Sequence, residues 1–439
     1  MDYKEELINN FLRISKIPRG SGHEEKIANF FINVAKENSL YFLKDENNNV
    51  LIKKKGNMNS SPIALQAHLD MVCVKAKESN HNFEKDAIEV IIDGNKVTAK
   101  NTTLGADQGV GLAMMLTIME DKNLKHPDIE FILTTEEETT FNGVVTFPYS
   151  KINSKRLINL DNSKDDSVII GSDGDILNEY YFKGNLIENN LPSYKIKIDG
   201  FPGGNSGDNI ELSKNNAITS MAQIIKDKDV FINCINGGTF ENDLATSCEV
   251  IINTKLDIKE LFKGVDVEIQ KIDNKISFSK KDTENIINEI LDLKCGWISF
   301  NISSANLGVI STNNNEIKIK YIIRSIEEIE LENINTRSKQ LKYNFEPIEI
   351  YRDSIWKVDR QSKLLDEYKK IYFKEYNEYP REEIGHGGTE CSAIKKSIDG
   401  LDIISIGSNM KKIHTIEETT YIDSWVKTFN LLIKLIEVL

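Results

Sequence analysis

The sequence predicts an α/β protein, in which a mixed sheet flanked by helices carries an inserted α+β domain. Short apolar runs lie between helical patterns, as is typical of buried parallel strands, and four of them run towards histidine or acidic residues. After about residue 185 the strands alternate between apolar and polar side chains, which indicates a smaller domain with one solvated sheet face. The length of 439 residues also exceeds the usual limit for one core.

The elements of the first domain begin with two amphipathic helices. Residues 4–17 and the stretch 27–34 carry apolar side chains at helical spacing, so each predicts a surface helix with one buried stripe. The next expected elements are strand-like runs at 39–54 and 62–72, a polar stretch at 75–103, and an apolar helix at 109–119.

The inserted domain is expected to contain alternating strands and two helices. Its predicted strands are 194–198, 248–256, 266–279 and 316–323, and its predicted helices are 209–226 and 282–293. The chain then returns to a helix at 362–377, a strand at 401–407 and a closing helix at 422–438. Because candidate site residues lie on both sides of the insert, the first domain is expected to be discontinuous, with residues 1–185 and 353–439 flanking 186–352.

Charge and composition exclude several classes of partner. The net charge of −13 argues against nucleic acid and anionic membranes, since both require basic surface. The N-terminus does not resemble a signal peptide, and no apolar run approaches the roughly 20 residues that span a bilayer. The five cysteines are odd in number and form no CxxC pair, so reduced thiols in a cytoplasmic protein are expected.

The side chains at the predicted strand ends have the chemistry of a metal site. The candidates are His68, Asp107, Glu137 or Glu138, Asp161 and His414. Carboxylates gathered at the carboxyl edge of a sheet repel one another unless a cation holds them. Imidazole and carboxylate ligands suit zinc or a similar divalent ion, and one carboxylate can bridge two ions. Asp70 shares a strand face with His68 and is expected to orient a ligand or a base.

Each of these features has a structural interpretation when it stands alone. A lone His-x-Asp on a strand is more often packing than metal binding, and acidic residues also favour the first turn of a helix. Asp107 alone would be a helix N-cap, and Asp161 alone a turn residue. Their joint occurrence at strand ends favours a metal site, with two ions expected.

Several motifs in matching order resemble those of the cytosolic aminoacyl-histidine dipeptidases, within the dizinc peptidase group that includes carnosinases and aminoacylases. The motifs are His68-Leu69-Asp70-Met71-Val72-Cys73, Thr102-Thr103-Leu104-Gly105-Ala106-Asp107, Thr134-Thr135-Glu136-Glu137-Glu138, and Ile404-Ser405-Ile406-Gly407 with His414-Thr415. The resemblance extends from Ile17 almost to the C-terminus and implies a zinc-peptidase-like sheet.

The resemblance implies a role for each residue of the metal site. His68 and Asp161 would flank one metal, Glu138 and His414 would flank the other, and Asp107 would bridge them. Both ions would be zinc, with manganese or cobalt as alternatives. Glu137 would be the general base, with Asp70 behind it, and a bridging hydroxide would attack the peptide carbonyl.

The resemblance also implies a substrate site and a dimer. The insert would act as a lid and as the surface of a homodimer. Asn306 and Arg324 match substrate-binding positions, and an arginine suits a dipeptide carboxylate or a developing oxyanion. His386 lies in a Gly-rich motif that indicates a substrate loop or a braced turn, and Glu390 would hold the substrate amino group.

The chain departs from the family pattern at a lid position. Where the family has Gly-Gly-His-Ser-Gly, this chain has Gly203-Gly204-Asn205-Ser206-Gly207. Asn205 donates a hydrogen bond without supplying a positive charge, although loss of one oxyanion donor costs about 10²–10³ in turnover. Thr140 also replaces the glycine usual after the glutamates, and we expect this change to affect only the turn.

These observations favour the hydrolysis of dipeptides, with Xaa-His dipeptides indicated by the resemblance. The first alternative is an amidohydrolase of N-acyl amino acids, which would use the same metals. The second is a weakly active or inactive peptide-binding homologue, motivated by Asn205. Retention of Glu137 beside a complete ligand set argues against the second alternative.

Overall fold

The computed structural model describes residues 3–207, 209–340 and 342–439, which form two compact units. Unit 1 comprises Met1–Gly171, Trp356–Gly385 and Thr389–Leu439, and unit 2 comprises Ser172–Ile355 and His386–Gly388.

The N-terminal part of unit 1 contains both helices and strands. In chain order they are α1 (Lys4–Ser15), α2 (Glu25–Glu37), β1 (Tyr41–Lys44), β2 (Val50–Lys54), β3 (Ile63–His68), β4 (Val90–Asp93), β5 (Lys96–Ala99), α3 (Ala106–Glu120), β6 (Ile129–Thr134), α4 (Asn142–Thr146), a 3-10 turn (Tyr149–Lys151), β7 (Arg156–Asn162) and β8 (Ser167–Ser172).

The elements of unit 2 follow from residue 174. They are β9 (Gly174–Lys183), β10 (Leu186–Glu188), β11 (Ser193–Ile198), a 3-10 turn (Ile210–Asn215), α5 (Ala217–Ile225), β12 (Val230–Gly237), β13 (Cys248–Thr254), α6 (Ile258–Leu261), β14 (Val267–Ile272), β15 (Ile276–Phe278), α7 (Lys280–Asp292), β16 (Gly296–Ser299), β17 (Ser303–Asn313), β18 (Glu316–Ser325), α8 (Glu328–Ser338) and β19 (Glu346–Arg352).

The remaining elements belong to unit 1. They are α9 (Lys363–Tyr376), β20 (Arg381–Gly385), α10 (Glu390–Ser397), β21 (Asp402–Gly407), β22 (Met410–Lys411), β23 (Thr419–Tyr421) and α11 (Ile422–Val438). The predicted helices at 362–377 and 422–438 are therefore confirmed within a residue.

A mixed sheet forms the centre of unit 1. Over the described residues it has eight strands in the order β1-β2-β6-β3-β7-β21-β8-β20. The four consecutive strands β6, β3, β7 and β21 run parallel to one another. Every residue of β3 and β6 is buried, as expected for apolar parallel strands covered on both faces. Helices α1, α3 and α11 pack against this sheet in one apolar core.

Helix α3 is buried along nearly all of its length and apolar on every side, which suits a helix enclosed by its neighbours. Asp107 and Gln108 near its start have non-helical dihedral angles, so the regular helix begins after them. This agrees with the predicted helix from residue 109. Asp107 therefore lies on irregular backbone before the regular helix, next to the preceding turn.

Unit 2 is built on an antiparallel sheet, in the order β14-β11-β13-β12-β17-β18-β9-β19 with β16 beside β17, as far as the described residues show. In β11 the buried residues alternate imperfectly with less buried ones, so the expected half-exposed strand is observed. Helices α5 and α7 pack with the buried faces of the strands in a second core.

The observed units differ from the predicted domains at three places, one of which is residues 353–355, expected in the first domain but found in unit 2. Residues 172–185 were expected in the first domain, but β9 pairs along its whole length with β18 and therefore belongs to unit 2. Residues 386–388 also belong to unit 2, although the chain on either side of them belongs to unit 1. The long-range pairing of β9 is the physical reason for the assignment of residues 172–185 to unit 2.

Two further sequence features can be compared with the structure. No helix in the described part of the chain is long and apolar enough to cross a membrane. The five cysteines lie within the described ranges, and all are free thiols.

The central strands of unit 1 should dominate its stability. Leu65 in β3 is fully buried, so Leu65→Ala should cost about 2–5 kcal/mol by loss of contacts and formation of a cavity. Urea unfolding followed by circular dichroism measures the change. The matched control is Ile92→Ala in β4, where the side chain is 41% exposed and little change is expected. Equal midpoints for the two variants would contradict this assignment of the core.

Candidate metal centre

The parallel strands of unit 1 bring three chain segments to one sheet edge. His68 is the last residue of β3 and is in register with Thr134, the last residue of β6. Asp161 lies near the end of β7, which pairs with β3 on the other side. The glutamates 136–138 directly follow β6. The carboxyl ends of these strands therefore meet at one place, as open α/β sheets do at their sites.

The carboxylate of Asp107 lies between two imidazoles. Its Oδ1 is 3.4 Å from His68 Nε2, and its Oδ2 is 3.4 Å from His414 Nε2. His414 Nε2 is also 2.9 Å from Glu138 Oε1. Ligand atoms of His68, Asp107 and Glu138 all lie within 4.8 Å of one another. One carboxylate oxygen faces each imidazole, which is the arrangement a bridging ligand requires.

The surroundings of His68 fit a metal ligand. Its side chain is 1% exposed, yet neither ring nitrogen makes a hydrogen bond of normal geometry within the described residues. Nδ1 lies 3.3 Å from Asp70 Oδ1, so the ring is oriented by a carboxylate on the side away from Asp107. Metal-binding histidines commonly have such a carboxylate partner. The unbonded, buried Nε2 is therefore suited to a cation.

Asp161 and Gln108 lie beside this cluster. The Gln108 side-chain amide donates a hydrogen bond to Asp161 Oδ1, and the same nitrogen is 3.4 Å from Asp107 Oδ1. Burial and the nearby charge of Asp107 raise the pKa of Asp161 well above its usual value. Asp161 thus has a carboxylate close to Asp107, with one oxygen held by an amide.

Glu137, the residue before Glu138, lies beside the same cluster. Its Oε2 is 3.8 Å from His68 Nε2. Burial raises the pKa of Glu137 well above the ordinary glutamate value; the positive charge of His68 opposes this effect, and the negative charge of Glu138 adds to it. A glutamate whose pKa is raised suits general acid–base chemistry.

Asp70 orients both the glutamate segment and His68. Its carboxylate accepts hydrogen bonds from the backbone N–H groups of Glu137 and Glu138, both at 3.1 Å, and from Ser21 Oγ at 2.7 Å. It is fully buried. Asp70 therefore bonds to the backbone of Glu137 and Glu138, and its role behind a general base stays a prediction.

Glu390 is a further acidic residue buried in unit 1. Its Oε2 accepts a hydrogen bond of 2.5 Å from the Gln66 amide, whereas its Oε1 has no hydrogen-bond partner in the described part of the chain. Burial raises the pKa of Glu390 to about 7. As for Glu137 and Asp161, burial is the largest cause of the raised pKa, and a nearby negative charge adds to it.

The nearby carboxylates raise the pKa values of both histidines, although burial opposes this effect. Burial alone would lower the pKa of His414, but contacts with Asp107 and Glu138 raise it to about 10. Likewise, burial of Asp107 disfavours its charged form, yet His414 and His68 lower its pKa. A divalent cation would replace the protons on these imidazoles and offset the acidic charge. The residues present therefore fit a metal ion.

Four predicted substrate-binding residues lie in unit 2. Arg324 Nη1 donates to Ser206 Oγ at 2.9 Å and Nη2 donates to Asn242 Oδ1 at 3.2 Å, while Nε is 3.4 Å from Asp175 Oδ2. His386 Nδ1 lies 3.0 Å from Asp173 Oδ2. Arg324 and His386 each lie beside an aspartate that the sequence analysis did not identify.

The other two residues have amide side chains with local partners. Asn205 Oδ1 accepts a hydrogen bond of 2.7 Å from the backbone N–H of Gly207, which orients its amide. Asn306 is fully buried, and its Nδ2 donates to the backbone carbonyls of Glu241 and Asp243 at 3.2 and 2.9 Å. Asn306 therefore braces the loop that also carries Asn242.

Sequence reasoning also missed two charged residues next to the metal-ligand cluster. Arg19 and Glu418 are buried in unit 1 and bond to the backbone around Asp107 and Asp70. Arg19 lies in a segment that carries the family resemblance, but its spacing indicates no role. Glu418 lies four residues after His414, and its importance depends on contacts with residues more than 300 positions away.

Comparisons with known proteins find similar chains over almost the whole length of this protein. A protein from Escherichia coli, the cytosol non-specific dipeptidase, is 27% identical over 467 residues, which cover 97% of this chain and 96% of the relative. The crystal structure of aminoacylhistidine dipeptidase from Vibrio alginolyticus matches with a TM-score of 0.80 and 26% identity, over 99% of this chain and 96% of that chain.

A more distant structure shows the same fold. A tripeptidase from Staphylococcus aureus matches with a TM-score of 0.65 and 15% identity, over 99% of this chain and 98% of that chain. The family model for peptidase family M20/M25/M40 matches residues 64–438. That match includes every residue of the cluster around Asp107, and the expected resemblance is confirmed. The chain belongs to peptidase family M20/M25/M40 and is a metallopeptidase.

Proposed function

We propose that this protein is a metal-dependent dipeptidase whose substrates include Xaa-His dipeptides. The observation that carries the proposal is the carboxylate of Asp107, with one oxygen facing His68 and the other facing His414. The relatives from E. coli and V. alginolyticus bear the names of dipeptidases, which favours dipeptides over N-acyl amino acids. The name of the E. coli relative also supports a cytoplasmic location.

Two divalent ions would be held by five side chains. His68 and Asp161 would bind one ion, Glu138 and His414 the other, and Asp107 both. When bound, zinc ions polarise a carbonyl group and lower the pKa of water, which makes hydrolysis feasible at neutral pH. Manganese or cobalt could take the same ligands.

Glu137 would move the proton. Its carboxylate is partly buried and lies 3.8 Å from His68, and its backbone N–H is bonded to Asp70. It would accept a proton from the attacking water and deliver it to the amine that leaves. The Asp70 carboxylate accepts hydrogen bonds from Ser21 and from two backbone N–H groups. It would therefore position the glutamate segment rather than transfer a proton.

The remaining predicted residues would recognise the substrate. The guanidinium of Arg324 is oriented by three partners and suits a dipeptide carboxylate or the developing oxyanion. His386 and Asn205 would contribute hydrogen bonds, with Asn306 holding the loop beside Arg324. Glu390 has one unpartnered oxygen among the described residues and would bind the substrate amino group. A homodimer through unit 2 would complete the assembly.

Metal removal tests the proposal as a whole. Treatment with a chelator should abolish hydrolysis of a dipeptide panel that includes Xaa-His members, and zinc, manganese or cobalt should restore it. Release of free amino acids is the measurement. N-acetylated analogues of the same dipeptides form the control and should be poor substrates. Activity that survives full metal removal, or a preference for the acetylated analogues, would contradict the proposal.

Replacement of the proposed base isolates the proton transfer. Glu137→Gln should reduce kcat by about 10²–10⁴-fold, because an amide cannot accept the proton. Metal content measured by atomic emission should stay at the wild-type level. The matched control is Glu136→Gln, which alters the adjacent glutamate of the same segment and should leave kcat close to wild type. Equal losses in both variants would rule out a specific role for Glu137.

The unusual lid residue can be tested by restoring the family histidine. Asn205→His should increase kcat by up to about 10²-fold, since an imidazolium adds positive charge near the developing oxyanion. Asn190→His adds a histidine at an exposed position of unit 2 and should leave kcat unchanged. A kcat for Asn205→His no higher than wild type would show that the amide already suffices at this position.

A further inference from the structure

The turn that precedes Asp107 is held by buried charges on both sides. This turn, residues 104–106, will be called the Gly105 turn. Glu418 Oε2 accepts hydrogen bonds from the N–H groups of Leu104 at 2.8 Å and Gly105 at 3.1 Å, and its Oε1 accepts one from Ala106 at 2.8 Å. Three consecutive backbone donors thus converge on a single carboxylate.

The opposite side of the same turn is bonded to Arg19. Its Nη2 donates to the Gly105 carbonyl, and its Nη1 donates to the carbonyls of Leu69, at 3.0 Å, and Asp70. Gly105 has φ +68°, a left-handed conformation that favours glycine. A Cβ at this position would lie 2.7 Å from Arg19 Nη2. Only a residue without a side chain allows this contact.

These bonds join three ligand-bearing segments. Glu418 follows His414 by four residues, the Gly105 turn leads directly into Asp107, and Arg19 reaches the backbone that follows His68. Glu418 and Arg19 are 3% exposed at most, so water contributes little to this network. Neither side chain contacts a ligand side chain in the described structure; both act on the backbone from which the ligands extend.

We propose that Arg19 and Glu418 are positioning residues, which set the separation of His68, Asp107 and His414 and thereby the affinity of the site for divalent metal. The inference rests on the proposed metal centre and adds residues outside its ligand set. The two groups carry opposite charges and bond to the two polar atoms of the Gly105 residue. A shift of this turn would move Asp107 relative to both imidazoles at once.

The chemistry of an amide makes Glu418→Gln an informative change. Glutamine keeps the length of the side chain and one acceptor oxygen, but its NH₂ group cannot accept a hydrogen bond. Either Ala106 or the pair Leu104 and Gly105 then loses its acceptor, and the unpaired N–H groups are buried. The turn must rearrange, whereas the metal ligands themselves remain chemically intact.

Metal affinity is the decisive measurement. Zinc should be titrated into metal-free wild-type protein and Glu418→Gln, in competition with a chromophoric chelator. We expect affinity to fall by about 10- to 100-fold, as is usual when a group that orients metal ligands is removed. Thermal unfolding of the metal-free proteins is recorded in parallel, so that affinity is separated from stability.

Two controls distinguish positioning from general support of the fold. Glu130 is a second buried glutamate of unit 1 and accepts hydrogen bonds from the backbone N–H groups of Asn153 and Ser154. Glu130→Gln should lower the unfolding temperature without changing zinc affinity. Glu417→Gln removes an exposed carboxylate paired with Lys412 on the same loop as Glu418, and should change neither property.

The possible outcomes separate this inference from the proposed function. A wild-type protein that binds no divalent ion would contradict the metal centre itself. Equal zinc affinity in wild type and folded Glu418→Gln would contradict only the positioning role. Should Glu418→Gln fail to fold, Arg19→Lys provides the same measurement, because lysine retains the charge but cannot bond to Asp70 and Gly105 together. Unchanged affinity in that variant would likewise overturn the inference.

Discussion

The structure depends on a concentration of buried negative charge at one edge of a parallel sheet. Glu390 is buried and Glu137 and Asp161 are partly buried, and the pKa values of all three are raised because desolvation and nearby negative charge both disfavour their charged forms. His68 and His414 supply the nearest positive charge through contacts with Asp107. Such a cluster requires compensating positive charge, and a bound divalent cation supplies it.

The fold meets this constraint by keeping the ligands on different segments and fixing each segment through its backbone. Asp70 bonds to the N–H groups of the glutamate segment, and Glu418 bonds to those of the Gly105 turn. These carboxylates face backbone donors and leave the ligand carboxylates free of them. The proposed ligands come from positions as distant as 68 and 414, so the site requires these distant parts of unit 1 to come together.

Sequence reasoning could predict the parts of this arrangement that depend on local pattern. Helices α9 and α11, the buried strands β3 and β6, and the chemistry of the strand ends all follow from short-range periodicity and residue type. The early start of unit 2 could not be predicted, because β9 is assigned by its pairing with β18 about 140 positions away. The hairpin of β4 and β5 lies inside a stretch that appears merely polar. Likewise, no spacing rule links Glu418 to a turn more than 300 residues earlier.

The proposed bridging of two divalent ions by Asp107 can be tested by anomalous diffraction from crystals of the zinc-loaded protein. Data collected on both sides of the zinc absorption edge locate the ions without assumptions about activity. Two anomalous peaks about 3.5–4 Å apart are expected, one near His68 and one near His414, with the Asp107 carboxylate between them. A single peak, or peaks away from Asp107, would contradict the proposed bridging.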